Sequence, residues 1–248
     1  MLVGKRLAVS SPQGRFAEGA AQLDGRTCVA VEAYGKHLLY GFDHGEHLHI
    51  HLGLYGQFRT AAATATSPLP EPRGAVRVRM VSDTSVVDIN GPNTCEVLDA
   101  EGLAALTKRI GPDVLRADAD PERAFARISK SRTPIGQLVM DQSVMAGVGN
   151  IYRSEILWRL RLHPDAPGTS IDAARFAAIW ADAVMLLAVG VEHNAIITTD
   201  DGTASTSKYQ ERVNIFGKEN CPRCQTAIRD YQMAGRKVFV CDGCQISS

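Results

Sequence analysis

The residue pattern predicts an α+β chain of several domains: a β-sandwich at the N-terminus, helices in the middle and a four-cysteine hairpin at the C-terminus. Three observations carry this. Short apolar-alternating runs between turn residues fill the chain up to Ile89, the hydrophobic period lengthens at about Thr94, and two Cys-x-x-Cys pairs lie near the end.

The β region begins abruptly, with Met1 to Ser10 already strand-like. Thr27 to Ala33, His37 to Phe42 and Glu46 to Leu52 follow, the last two around a turn at Asp43-His44-Gly45. His47, His49 and His51 alternate with Leu48, Ile50 and Leu52 and so share one strand face. No carboxylate accompanies them in sequence, and a polar strand face is expected rather than a metal site. A Pro- and Ala-rich link spans Thr60 to Gly74, and Val76 to Ile89 is again strand-like. Short strands of this kind pack as a sandwich or barrel.

Glu96 to Ile110 has helical amphipathicity and is broken by Gly111-Pro112-Asp113. Further helices are expected over Pro121 to Lys130, Pro134 to Ala146, Asn150 to Leu162 and Ile171 to Val191, the first with proline at its start. Gly147-Val148-Gly149 stops the second of these, and Asn150 is placed to cap the next. So tight a turn leaves backbone amides at a helix N-terminus, where a phosphate can bind, although glycine turns between helices are common without any ligand. Thr198 to Ser207 is polar and turn-rich and is expected to be a mobile loop.

Cys221-Pro222-Arg223-Cys224 is followed after sixteen residues by Cys241-Asp242-Gly243-Cys244. Four thiolates at that spacing close a tetrahedron around one structural Zn2+, with a hairpin between the two knuckles. Thr226 to Val240 supplies that hairpin, with a basic tip at Met233-Ala234-Gly235-Arg236. A segment of about thirty residues has too little core to fold alone, so the metal supplies most of its folding free energy. From Ser205 onward seven basic residues face four acidic ones on a chain whose net charge is zero, a local excess suited to phosphate contact and equally to a solvated surface.

At 248 residues and 45% hydrophobic the chain is long enough for two domains, or for one large domain with appendages, and for a real core. No run of eighteen apolar residues suggests a membrane span, and no signal-peptide pattern opens the chain. With four cysteines on metal, Cys28 and Cys95 are expected as buried thiols in a reducing, cytoplasmic setting.

Gly147-Val-Gly-Asn-Ile-Tyr-Arg-Ser-Glu155, with Met140-Asp-Gln142 before it, resembles the helix-two-turns-helix signature of the formamidopyrimidine-DNA glycosylase and endonuclease VIII family. Three further matches fall in the family's order: Gly35-Lys-His-Leu-Leu39, His51-Leu-Gly-Leu-Tyr-Gly56 and the Gly-Arg-Lys-Val-Phe-Val run ending at Cys241. The resemblance covers nearly the whole chain. It implies a β-sandwich domain over 1–115, a helix-two-turns-helix domain over 116–205 and a zinc ribbon over 206–248, with a cleft for the duplex.

It also implies roles. Lys36 would contact the backbone beside the lesion and assist elimination. Asn150, with the amides of the glycine turn, would hold a phosphate, and Arg236 would hold the phosphates flanking the damaged nucleotide from the ribbon tip. Arg109, in Arg-Ile-Gly-Pro-Asp113, resembles a DNA-contacting arginine of the endonuclease VIII branch. Leu54 and Tyr55 stand where the family fills the gap left by the extruded base, and Glu155 resembles an acidic residue that supports the nucleophile's site. Taken alone, Leu54 and Tyr55 would read as strand core, Asn150 as a cap and Glu155 as a solvated helix residue. A buried base must swing out to be reached, an apolar wedge lowers the cost of the gap, and two independent clamps would hold the bent backbone.

The implied activity is base-excision repair of oxidised bases, pyrimidines over purines, with abasic-site lyase chemistry. The partner is double-stranded DNA carrying a damaged or abasic nucleotide, bound by a monomer. The family's nucleophile is an N-terminal proline beside a glutamate. Here Met1 is followed by Leu2 and Val3, and the family's first helix is missing before the opening strand. A start upstream of Met1, a shortened chain and a natural binding-only relative all fit. These 248 residues are expected to lack normal excision while keeping zinc and DNA affinity. A non-catalytic zinc-dependent binder of damaged or abasic DNA is the alternative, and a zinc module for protein contacts a weaker one.

Overall fold

The computed structural model describes residues 1–63, 68–200 and 209–245. The chain forms two compact units, Met1–Lys108 and Arg109–Ser248. Parts of the expected Thr60 to Gly74 link and most of the expected Thr198 to Ser207 loop lie outside the described residues.

In the first unit two antiparallel sheets face each other. One runs in the order β1 (Lys5–Arg6), β3 (Thr27–Tyr34), β4 (His37–Phe42), β5 (His47–His51) and β9 (Thr94–Leu98). The other runs β2 (Ala8–Ser10), β7 (Val76–Val81), β8 (Ser85–Asn90) and β6 (Gln57–Ala62). Alternation along each strand sends Tyr40, Phe42, Leu48 and Ile50 from one sheet against Val78, Met80, Val87 and Ile89 from the other. This is the sandwich expected from the period-two pattern. Leu48, Met80 and Ile89 are fully buried, and each such side chain contributes about 1.5–3 kcal/mol by leaving water.

Two differences from the residue pattern stand out. A helix α1 (Ala17–Leu23) follows β2 and drops Ala20 and Leu23 into the core, within a region whose residue pattern read as β-like. The helix expected from Glu96 starts later. Thr94–Leu98 pairs with β5 as β9, and α2 spans Ala100–Arg109, with Asp99 Oδ1 accepting from the Gly102 amide at 2.8 Å. Cross-strand bonding to β5 outweighs local helix propensity there.

The second unit holds α3 (Pro121–Ile128), α4 (Ile135–Leu138), α5 (Asn150–Arg159), α6 (Ala173–Glu192) and a hairpin of β10 (Arg229–Met233) and β11 (Arg236–Val240). Proline opens α3 as expected, and Asp120 caps it by accepting from the Arg123 amide. Asp172 caps α6 through the Arg175 amide at 2.7 Å. By length and composition alone α6 is apolar enough to cross a membrane, contrary to the reading of the residues. Its Phe176, Ile179, Ala183, Leu186 and Leu187 pack into the unit's core with Ile135, Ile156 and Leu157, and Asp182 on the same helix pairs with Arg159 at 2.9 Å.

The helix expected over Pro134 to Ala146 is a single turn, Ile135–Leu138. Asp141 Oδ1 accepts from the Ser143 amide at 2.9 Å and its hydroxyl at 2.7 Å, a local bond that competes with the helix. Beyond it Gly111 lies so close to Val144 that a Cβ would sit 2.6 Å from the Val144 carbonyl.

Candidate nucleic-acid interface and metal centre

The turn before α5 is tied from one side chain. Gln142 Nε2 donates to the carbonyls of Met140 (2.9 Å) and Val148 (2.8 Å), and its Oε1 accepts from the Gly147 amide at 3.0 Å. Gly147 takes φ +100°, a conformation that disfavours a side chain. Asn150 does not cap α5 as expected. Gly149 occupies the cap position with extended backbone, and Asn150 is the first helical residue.

What Asn150 does instead was not visible in the residue pattern. Its Nδ2 donates to the Lys237 carbonyl on β11 at 3.0 Å, while its Oδ1 accepts from Arg153 one turn along the same helix. Arg153 is fully buried, and its guanidinium also donates to the carbonyls of Met233 (3.3 Å), Lys237 (3.2 Å) and Arg236 (3.4 Å). Burial, with Arg236 nearby, lowers its pKa to about 10. The helix N-terminus and the ribbon tip are therefore one bonded body, not the two independent clamps expected. The i, i+3 spacing of Asn150 and Arg153 was the available signal.

The hairpin tip has Ala234 and Gly235 at φ +52° and +73°, the two-residue turn whose twist matches the strands. Met233 is buried, its Sδ standing 2.9 Å from where a Cβ on Gly136 would be, while Arg236 is exposed. The ribbon is bonded along α5 beyond the tip as well. Ser154 Oγ accepts from the Phe239 amide (3.3 Å), Trp158 Nε1 donates to Cys221 Sγ (3.3 Å), and Arg223 lies 3.8 Å over the Trp158 ring.

The four cysteine sulfurs all lie within 4.8 Å of one another. Cys224 is 3.4 Å from both Cys241 and Cys244, and Cys221 is 3.8 Å from Cys244. A tetrahedron with bonds of about 2.3 Å has edges of about 3.8 Å, and a disulfide needs about 2.05 Å. The donor set therefore fits one thiolate-bound metal ion, and no disulfide joins these residues. Hydrogen bonding from Thr226 holds the Cys224 thiol down to about 6.

Glu155 is neither solvated nor exposed. Its carboxylate is fully buried, with Oε2 accepting from Thr198 Oγ1 (2.6 Å), Asn214 N (2.8 Å) and Asn214 Nδ2 (2.9 Å), and Oε1 from the amides of Ile215 and Phe216 at 2.9 Å each. It fastens α5 to the segment that leads into the first cysteine knuckle.

In the first unit, Leu54 and Tyr55 are 68% and 86% exposed, so the strand-core alternative does not describe them. They ride a turn between β5 and β6 that is closed by a Gly56 amide to Leu52 carbonyl bond of 3.1 Å, with Gly53 at φ +69°. Lys36 is exposed in the β3–β4 turn, after Gly35 at φ +59°. Arg109 is exposed at the end of α2. Of the strand histidines, His47 and His51 are half-buried and His49 is buried. Cys28 is buried and Cys95 half-buried, and burial pushes both thiols up, Cys95 to about 12.

Comparison with known proteins agrees with this geometry. Residues 3–94 match the formamidopyrimidine-DNA glycosylase N-terminal domain, and residues 110–201 match the formamidopyrimidine-DNA glycosylase H2TH domain. Endonuclease 8 1 of Mycobacterium tuberculosis is 44% identical over 248 residues, covering 98% of this chain and 92% of the relative. Formamidopyrimidine-DNA glycosylase of Chloroflexus aggregans is 33% identical over 237 residues, covering 92% of this chain and 84% of the relative. The structure of a Lactococcus lactis Fpg in complex with DNA containing an abasic site superposes with a TM-score of 0.79 at 23% identity, covering 100% of this chain and 94% of that one, a likeness of fold. With both domain families matched in order and a full-length relative at this identity, the chain belongs to the formamidopyrimidine-DNA glycosylase and endonuclease VIII family of DNA glycosylases.

Proposed function

We propose that this chain serves base-excision repair as an endonuclease VIII-like reader of oxidised bases, pyrimidines before purines, in double-stranded DNA, with abasic-site lyase chemistry by family. The observation that carries the reading is the 44% identity to an Endonuclease 8 across 98% of the chain, together with the exposed Leu54–Tyr55 pair on a hydrogen-bonded turn. In this reading Leu54 and Tyr55 occupy the gap left by an extruded base, which suits two large apolar side chains held in water at a cost.

Asn150 and the glycine turn meet one phosphate and Arg236 its neighbour, while Lys36 and Arg109 contact the strand from their own exposed positions. Buried Arg153 adds positive charge behind the Asn150 side chain, and a phosphate there would be its counter-ion. One structural Zn2+ on Cys221, Cys224, Cys241 and Cys244 holds the ribbon against α5. The division into domains at 1–115, 116–205 and 206–248 follows the same reading, as do a monomer and a site of action at the bacterial nucleoid in the cytoplasm.

The 248 residues hold no proline-glutamate pair at their start. Binding of the zinc-loaded chain to abasic, oxidised-pyrimidine, oxidised-purine and undamaged duplexes, each at several salt concentrations, tests the reading. Preference for the abasic and pyrimidine-damaged duplexes, with affinity falling as salt rises, is expected. Equal, salt-insensitive binding to all four would overturn it.

A further inference from the structure

Glu96, His49 and His37 form a continuous hydrogen-bonded chain on the face of β4 and β5 turned away from the sandwich core. Glu96 Oε1 lies 2.9 Å from His49 Nδ1, and His49 Nε2 lies 2.8 Å from His37 Nδ1. Strand register makes the chain: His49 pairs with Leu39 on β4 and with Glu96 on β9, and His37 pairs with His51. His49 is 2% exposed, and the His37 ring lies 5.0 Å from that of His49 and 4.9 Å from that of His51. One end of the chain is a half-exposed carboxylate, and the other is the residue next to Lys36.

The chemistry of the three groups sets the direction of the bonds. An ionised carboxylate only accepts, so His49 donates from Nδ1, accepts at Nε2, and His37 donates from its Nδ1. A first proton added to the imidazole pair still leaves one N–H and one acceptor nitrogen at the 2.8 Å contact, so the bond stays intact. A second proton sets two N–H groups against each other, and the bond is lost.

We propose that Glu96, His49 and His37 are positioning residues that hold the β3–β4 turn so that Lys36 meets the DNA backbone, and that double protonation of the imidazole pair releases this turn. The inference rests on the proposed role of Lys36 at the duplex. The groups facing the pair are Glu96 from β9, His47 and His51 from β5, Glu32 and Tyr34 from β3, and Lys36 from the turn. Burial, then Lys36, holds the His51 imidazole below its ordinary value, so His51 stays neutral until the medium is more acidic.

The test is the affinity of the full zinc-loaded chain for a duplex carrying a stable abasic-site analogue, relative to undamaged duplex, from about pH 8 to about pH 5. The relative affinity of the unaltered chain is expected to fall about five-fold on acidification. Glu96→Gln keeps an acceptor oxygen for His49 but removes the charge that favours protonation, so the midpoint moves to lower pH by about half a unit or more. His49→Phe weakens specific binding at neutral pH to the level of Lys36→Ala and flattens the profile. Glu96 is half-exposed, so its variant folds and its midpoint alone decides even if His49→Phe does not fold. If Lys36→Ala weakens specific binding while Glu96→Gln leaves the midpoint in place, the positioning chain is overturned and the proposed function stands. If Lys36→Ala binds as the unaltered chain does, the role of Lys36 itself falls, and with it this inference.

Discussion

Replacing Glu155 with glutamine should loosen the second unit more than any exposed substitution. The buried carboxylate accepts two hydrogen bonds at Oε1 and three at Oε2. Glutamine turns one oxygen into an NH2 group. Whichever way the amide is oriented, that group faces at least two donors, which then have no acceptor. A buried donor left without a partner costs about 1–3 kcal/mol, so the change should cost about 3–5 kcal/mol. That range matches the cost of breaking a buried charged pair. For a unit the size of Arg109–Ser248, about 3 °C per kcal/mol gives a fall in Tm of about 10 °C. Calorimetry on the zinc-loaded protein reads this directly, with the transition of Met1–Lys108 as an internal reference. A fall below about 2 °C would refute the view that Glu155 fastens α5 to the approach of the first knuckle.

Three other outcomes follow from the same structure. Chelating the metal should unravel the ribbon and change the fluorescence of Trp158, which lies 3.3 Å from Cys221 Sγ, while far-ultraviolet circular dichroism of the β-sandwich unit persists; an unchanged spectrum would contradict a metal-pinned ribbon. Leu54→Ala and Tyr55→Ala should leave Tm within about 1 °C because both side chains are in water, yet each should weaken specific binding to an abasic duplex by about ten-fold, the scale of one lost stacking contact. Because the folded His51 imidazole titrates below its ordinary value, the unfolded chain takes up this proton first as pH falls. Stability should therefore decline with acidification below about pH 6.5, and His51→Asn should reduce that slope in a series of Tm measurements.

The parts of the fold legible in the residues were those with a local cause. Alternation announced the strands that build the sandwich, proline marked the start of α3, and the spacing of two cysteine pairs announced the metal-binding set. Where distant partners compete with local preference, the residues misled. Thr94–Leu98 is a strand because β5 offers it a full ladder, and the stretch after Leu138 leaves the helix because Asp141 and Gln142 bond their own turn. The candidate site shows the same division. Leu54 and Tyr55 were in view as residues, but only the folded turn distinguishes a wedge in water from a strand core.

By itself the sequence determined the family, the order of sandwich, helices and ribbon, and the four thiols, because motif spacing and hydrophobic period are properties of neighbours along the chain. Only the tertiary structure decided that Asn150, Arg153 and the ribbon tip form one bonded body, that Glu155 is a buried fastening, and that Glu96, His49 and His37 join in a chain. Each of those depends on residues tens of positions apart, and their polar atoms meet only after burial has made an unpaired group too costly to leave.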